Sequence, residues 1–219
     1  MSAERRLSVG FAPIAAPDAR VLVLGSLPGR MSLAMQQYYA QPQNAFWKIM
    51  GQLLGAAPGL PYERRVQLLR ERRVAVWDVL AAGEREGSLD SAIVHSSIVV
   101  NDFAGFFAAH RDVRLVCFNG SKAAELYRRR VLPGLEPAAA ALESRRLPST
   151  SPAHAARSFA EKLTRWRSAL ETVVEVAPDF PRLIERLAQW TSLLQRFGEP
   201  AEAGMVRWAE LGHGLRLTE

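Results

Sequence analysis

The sequence predicts an α/β fold: a three-layer α/β/α sandwich around a central, mostly parallel four-stranded sheet, with a helical extension at the C-terminus. Three observations carry that expectation. Short strand-like runs recur at 21–24 (VLVL), 74–77 (VAVW), 113–118 (VRLVCF) and 142–147 (LESRRL). Segments with helical spacing of apolar residues stand between them, and strands alternating with helices build parallel sheets covered on both faces. Hydrophobic residues make up 48% of the 219, enough for a core of that kind.

Each element has its own signal. Val21–Leu24 runs into Gly25, so it is a buried strand entering a turn. A helix is expected from Ala45 to Leu54, closed by Gly55, and an amphipathic one over Tyr62–Arg72. The second strand is Val74–Trp77, and the third is Val113–Phe118. Asn119-Gly120 follows it and leads into a helix from Ser121 to about Arg130. The fourth strand, Leu142–Leu147, precedes the loop Pro148-Ser149-Thr150-Ser151-Pro152, and a helix is expected from Ala155 to about Val176. Pro178-Asp179-Phe180-Pro181 marks a boundary, giving a domain over 1–179 and an extension over 180–219. In the extension Leu183, Ile184, Leu187, Trp190, Leu194 and Phe197 recur at helical spacing, with a second short segment around Met205–Leu211, as in a helical hairpin.

Composition narrows the function. Residues 1–20 hold no continuous apolar stretch, and no run approaches a membrane span, so the chain reads as soluble and cytoplasmic. The single cysteine, Cys117, excludes an internal disulfide and a cysteine-built zinc or iron–sulfur site. His95, His110, His154 and His213 show no pairing at metal-ligand spacing. Lys+Arg number 28 against 22 Asp+Glu, a net charge of +6 carried entirely by the first 179 residues. That surplus favours a polyanionic partner.

In open parallel sheets, sites lie beyond the carboxyl ends of the strands. The loops after Leu24, Trp77, Phe118 and Leu147 are therefore the ones that matter. Gly25-Ser26-Leu27-Pro28-Gly29 is either a backbone cradle for phosphate or a plain tight turn; it has neither the nucleotide P-loop ending nor the three-glycine dinucleotide pattern. Pro148–Pro152 either presents hydroxyl donors or caps the helix after it. The stretch YYAQPQNAFWK, 38–48, crowds four aromatic rings, a proline and an asparagine together, which neither a core helix nor an ordinary loop requires.

Taken together these loops resemble the uracil-DNA glycosylase superfamily. Tyr39-Ala40-Gln41-Pro42-Gln43-Asn44-Ala45-Phe46-Trp47 is similar to the Phe-Ala-x-Pro-x-Asn-x-Phe-Trp pattern of its mismatch-specific members. The Ser-Leu form of the first loop, the double Tyr, Trp77-Asp78, Gly87-Ser88-Leu89-Asp90, Asn101-Asp102-Phe103, Phe118-Asn119-Gly120 and Ser149-Thr150-Ser151-Pro152 resemble the hypoxanthine-DNA glycosylase branch. The resemblance covers about residues 20–175.

It implies an enzyme that flips a base out of the duplex, because a stacked base is out of reach of chemistry. Tyr39 takes the place of the stacking aromatic, while Phe46 and Trp47 face the core and Tyr38 lines the pocket or the surface. Asn44 and Asn119 are the expected catalytic amides, against the alternatives of an Asn that holds its loop and an Asn-Gly turn. Ser26, Leu27 and Asp78 are expected at the base, Asp78 otherwise serving as a cap. Ser149, Ser151, His154 and Arg157 are expected at the DNA backbone.

Two departures stand out. The superfamily usually has Asp or Asn in the first loop where this chain has Leu27, and His or Asn where it has Leu147. The rival readings are accordingly a catalytically silent DNA-binding relative and, less well matched to the charge, a hydrolase of free nucleosides. Lys48, Lys122 and Lys162 fall outside the site loops, so a monofunctional enzyme using water is expected, without a Schiff-base amine. No metal, organic cofactor, membrane or obligate protein partner is implied; the expected partner is DNA carrying a deaminated base.

Overall fold

The computed structural model describes residues 6–176, together with 191, 192, 195, 208–211 and 215–218. The chain runs through β1 (Arg6–Val9), β2 (Val21–Gly25), α1 (Arg30–Met35), α2 (Phe46–Leu54), α3 (Tyr62–Glu71) and β3 (Val74–Asp78). β4 (Leu80–Arg85), β5 (Val99–Val100), α4 (Phe103–Ala109), β6 (Leu115–Asn119) and α5 (Ser121–Leu126) follow, then α6 (Pro137–Ala140), β7 (Glu143–Leu147) and α7 (Phe159–Leu170).

Four of the strands form one parallel sheet in the order β3-β2-β6-β7, flanked by helices in an α/β/α arrangement. Every residue of β2 and β3 is buried, as expected for strands covered on both faces. β7 is the edge strand, and its Glu143, Ser144 and Arg146 are exposed, which keeps that edge from pairing further. Register decides what meets at the top of the sheet. Gly25 stands opposite Asp78, and Asn119 stands opposite Leu147, so all four strands end along the same rim.

The helices anchor this rim from the side. Phe46, Ile49, Met50, Leu53 and Leu54 of α2 are buried, and the helix ends at Gly55 with φ +80°, a conformation that favours glycine. The Phe46 ring meets Trp166 of α7 edge to face, with centroids 6.1 Å apart.

The structure differs from the sequence expectations in four places. α7 begins at Phe159 rather than Ala155, because Ser158 and Glu161 form a reciprocal capping box that starts the helix there. After α5 the helix widens into a π-helical turn over Tyr127–Val131 instead of continuing as α. β1, β4 and β5 make a second, antiparallel sheet that the sequence reading did not contain; β4 (LAAGER) has too little apolar alternation to announce itself. The chain divides into two compact units, Met1–Ala177 and Pro178–Glu219. In the second, Trp208–Leu211 and Leu215–Thr218 pair as antiparallel strands β8 and β9, which corrects the helical expectation for Met205–Leu211. The rest of the expected hairpin, Leu183–Phe197, lies outside the described residues apart from Thr191, Ser192 and Gln195, which are helical.

Candidate active site

The loops after the four parallel strands open into one cleft of about 840 Å³. Gly25 to Ser32, Tyr38, Tyr39, Asn44, Asp78, Ser88 to Asp90, Asn119 to Lys122 and Ser149 to His154 line it. Concave sites of this size hold small molecules or single groups of larger ones.

The aromatic stretch resolves into a platform and its supports. Tyr39 is half-buried, and its ring stacks on Phe46 with centroids 4.0 Å apart and planes 23° from parallel. Tyr38 is buried, and its hydroxyl donates toward the Ala12 carbonyl at 3.2 Å. Trp47 is buried and donates its indole N–H to the Tyr38 carbonyl at 2.8 Å. Phe46 and Trp47 therefore face the core and hold the two tyrosines, and of these Tyr39 is the more exposed at the cleft.

The two candidate amides are already in use. Asn44 Oδ1 accepts from the Phe46 N–H at 3.0 Å, satisfying a free donor at the start of α2. Its amide nitrogen remains available as a donor. Asn119 Oδ1 accepts from the Thr150 N–H at 2.8 Å, and its Nδ2 donates to Thr150 Oγ1 at 2.8 Å. The Thr150 carbonyl in turn accepts from the Ala45 N–H at 2.9 Å. Thr150, 1% exposed, thus ties the end of β6 to the start of α2. Because its N–H is spent on Asn119, the Thr150 backbone has no donor left for the cleft.

The opposite wall is charged. Arg85 of β4 is 3% exposed, donates to the Leu27 carbonyl at 3.4 Å and makes a shorter hydrogen bond to the Pro28 carbonyl. Burial lowers the pKa of its guanidinium. Asp90 Oδ1 accepts from Ser26 Oγ at 2.6 Å and lies 3.8 Å from Arg85 Nη1. The Arg30 N–H bonds Ser88 Oγ at 3.2 Å, so the 85–90 segment clamps the whole first loop. The left-handed Gly87, φ +72°, lets the chain turn back for this.

Asp78 is 4% exposed and sits beneath Gly25: a Cβ at Gly25 would fall 2.2 Å from Asp78 Oδ1 and 3.2 Å from the Tyr39 hydroxyl. Burial, with the like charge of Asp90 adding to it, pushes the Asp78 carboxyl up to about 7. Burial first, and then the charge of Asp78, raise the Tyr39 hydroxyl while the Asn119 side chain beside it lowers it; among the described residues Asp78 Oδ2 is buried without a hydrogen-bond partner. Asn101 donates to the Asp78 carbonyl at 2.8 Å and fixes the strand end.

Of the expected site residues, Ser26, Leu27, Tyr39, Asn44, Asp78, Asn119, Ser149, Ser151 and His154 all line the cleft. Arg157 does not; its guanidinium lies 3.8 Å from Glu161 instead. Leu27 is 5% exposed and packs toward Gly83, and Leu147 is buried in the core and is absent from the lining. The sequence reading missed Arg85 and Asp90 as site residues and placed Lys122 outside. Lys122 lines the cleft because α5 starts directly after β6, with its Nζ 3.5 Å from Glu125. A charged pair at 85 and 90, after a strand and around a Gly, was the available signal. Among the described residues, no group of three or more His, Cys, Asp or Glu could hold a metal ion, and no helix is long and apolar enough to cross a membrane.

Known proteins are similar to this chain in sequence and fold. A family model of the Uracil DNA glycosylase superfamily matches residues 12–173. Two proteins named hypoxanthine DNA glycosylase, from Methanosarcina acetivorans and Methanosarcina barkeri, are 42% and 37% identical to it over 117 residues, which is 53% of this chain and 73% of each relative. A solution NMR structure of a Methanosarcina acetivorans protein proposed to be a uracil DNA glycosylase superposes with a TM-score of 0.61 at 36% identity, covering 76% of this chain and 99% of that one.

Proposed function

The chain belongs to the uracil DNA glycosylase superfamily and is a DNA glycosylase, and on that premise we propose that it flips a deaminated base out of DNA, hypoxanthine first and uracil second, and hydrolyses its N-glycosidic bond. The observation that carries this reading is the Tyr39 ring, backed by Phe46, at the edge of a cleft into which all four strand-end loops open. A base laid on Tyr39 gains stacking of roughly 1–3 kcal/mol whatever its identity. Selection then falls to polar groups. Hypoxanthine offers a carbonyl oxygen and a ring N–H side by side. The Asn44 amide nitrogen can donate to the first. Asp78, whose carboxyl burial pushes up to about 7, can accept from the second when ionised and donate when protonated. Uracil repeats the same donor–acceptor pair on a smaller ring, and the two relatives named for hypoxanthine support placing that base first.

In the reaction, water adds to C1′ as the C1′–N bond breaks and its electron pair leaves on the base. The sugar passes through an oxocarbenium-like state, which the flanking DNA phosphates stabilise. The protein has only to orient water and to hydrogen-bond the departing base. Asn44 serves the base through its free N–H, while Asn119 acts through Thr150 as a positioning residue. Ser149, Ser151 and His154 face the DNA backbone from the 148–154 loop, and Arg157 reaches it from outside the cleft. Lys122 is engaged with Glu125, 3.5 Å away, rather than offered as a Schiff-base amine, so the enzyme is monofunctional.

The test is base release from matched oligonucleotides carrying one hypoxanthine, uracil or xanthine, with alkali to reveal abasic sites. Release of hypoxanthine, faster than uracil, is the expected result, and strand cleavage should appear only after alkali. Duplex binding without release of any base would sink the reading.

A further inference from the structure

A water attacking C1′ needs an acceptor for one of its protons, so that a lone pair faces the sugar. Most acceptors along the cleft are committed. Asn44 Oδ1 holds the Phe46 N–H and Asn119 Oδ1 the Thr150 N–H. Ser149 Oγ accepts from the Ser151 N–H, Ser151 Oγ from the Ala153 N–H and Ser88 Oγ from the Arg30 N–H. Asp78, 4% exposed, is taken up by the ring N–H of the base in the reading above. Leu27, at the place where superfamily members carry an acid or amide, has no polar side-chain atom at all.

Asp90 is different. It is half-exposed and lines the cleft. Its Oδ1 is held by the hydroxyl of Ser26, the residue next to Leu27, at 2.6 Å. Its Oδ2 accepts no hydrogen bond among the described residues. One carboxylate oxygen is therefore fixed and the other is open, beside the first loop.

We propose that Asp90 positions and deprotonates the attacking water, replacing from the 85–90 segment the polar group that Leu27 lacks. The proposal rests on the glycosylase reading above. The step balances: the water oxygen bonds C1′, the C1′–N bond breaks with its electron pair going to the base, and the water proton passes to Asp90 Oδ2. The surroundings suit this work. Arg85 of β4 and Lys122 of α5 are the cations facing Asp90, Ser26 of the first loop donates to it, and Asp78 of β3 is the facing acid. Burial raises the Asp90 carboxyl, and a stronger base is the more effective one near neutrality.

The experiment uses the full chain and single-turnover release of hypoxanthine from duplex oligonucleotide between pH 5 and 9. Duplex affinity and melting temperature are measured alongside. Asp90→Asn keeps the shape and the Ser26 bond; it should bind DNA as the parent does, release base at least about 100-fold more slowly and lose the decline toward acid pH. Asp78→Asn should keep that decline, which separates the two acids. Ser26→Ala removes a bond that favours the ionised form and should move the decline to higher pH. Its readout stands even if Asp90→Asn fails to fold. Release by Asp90→Asn within about threefold of the parent, or an acid decline that Ser26→Ala does not move, would overturn the assignment. A parent protein that releases no deaminated base would overturn the glycosylase reading instead.

Discussion

The two walls of the cleft are built on opposite principles. On the α2 side Asn44, Asn119 and Thr150 are neutral, and nearly every donor and acceptor is matched to backbone. On the β3–β4 side Asp78 and Asp90, with Arg85 behind the first loop, are ionisable, and atoms are left over: among the described residues Asp78 Oδ2 and Arg85 Nε are buried without partners. A matched amide fixes geometry and has nothing further to give. An unmatched acid costs stability and retains the capacity to react. On the proposed mechanism the neutral wall positions, and the charged wall carries the proton chemistry.

The sharpest way to break this contrast is Gly25→Ala. Its Cβ would fall 2.2 Å from Asp78 Oδ1, in a strand with no room to yield. Overpacking of this kind costs about 1–3 kcal/mol, and displacing Asp78 and Tyr39 together should abolish base release, read by the oligonucleotide assay and by melting temperature.

Asp78→Asn tests the charged wall by pH. A carboxyl raised to about 7 when folded binds its proton more tightly folded than unfolded. Its contribution is fully present below the unfolded pKa near 4 and is lost as pH rises toward 7, at up to about 1.4 kcal/mol per unit. The parent should therefore lose stability from this group between pH 4 and 7, and urea unfolding of Asp78→Asn should show that slope removed.

Asn119→Ala probes the neutral wall. It deletes two hydrogen bonds and strands the buried Thr150 N–H, a loss of about 2–3 kcal/mol. Chemical denaturation should show it at every pH, without the slope change seen for Asp78. Asn44→Ala is the mildest in stability, about 1 kcal/mol for the lost contact at the start of α2. Base release should nevertheless fall tenfold or more, because its free N–H faces the cleft. Equal losses of stability for Asn44→Ala and Asn119→Ala would blur the distinction between them.

How much of this was legible in the residues depends on whether the signal was local. The four parallel strands, the α2 helix and its glycine end follow from short apolar runs and a stop signal, which neighbours in sequence supply. The density of rings at 38–47 marked that stretch as unusual, while the part expected of Tyr39 came only from the resemblance. The start of α7 was misplaced although Ser158 and Glu161 spell the capping box. Asp90 was read only as part of a resemblance and Arg85 not at all, since a charged residue after a short Ala-rich stretch looks like solvated surface until Arg85 is found 3% exposed.

By itself, then, the sequence determined the parallel sheet, the loops that matter and the residue types gathered in them, because hydrophobic period and turn chemistry are properties of adjacent residues. Only the tertiary structure decided which of those residues are spent and which are free. Asn119 meets Thr150 across 31 positions and Ser26 meets Asp90 across 64. A hydrogen-bonding group is available for chemistry only when no such distant partner has taken it.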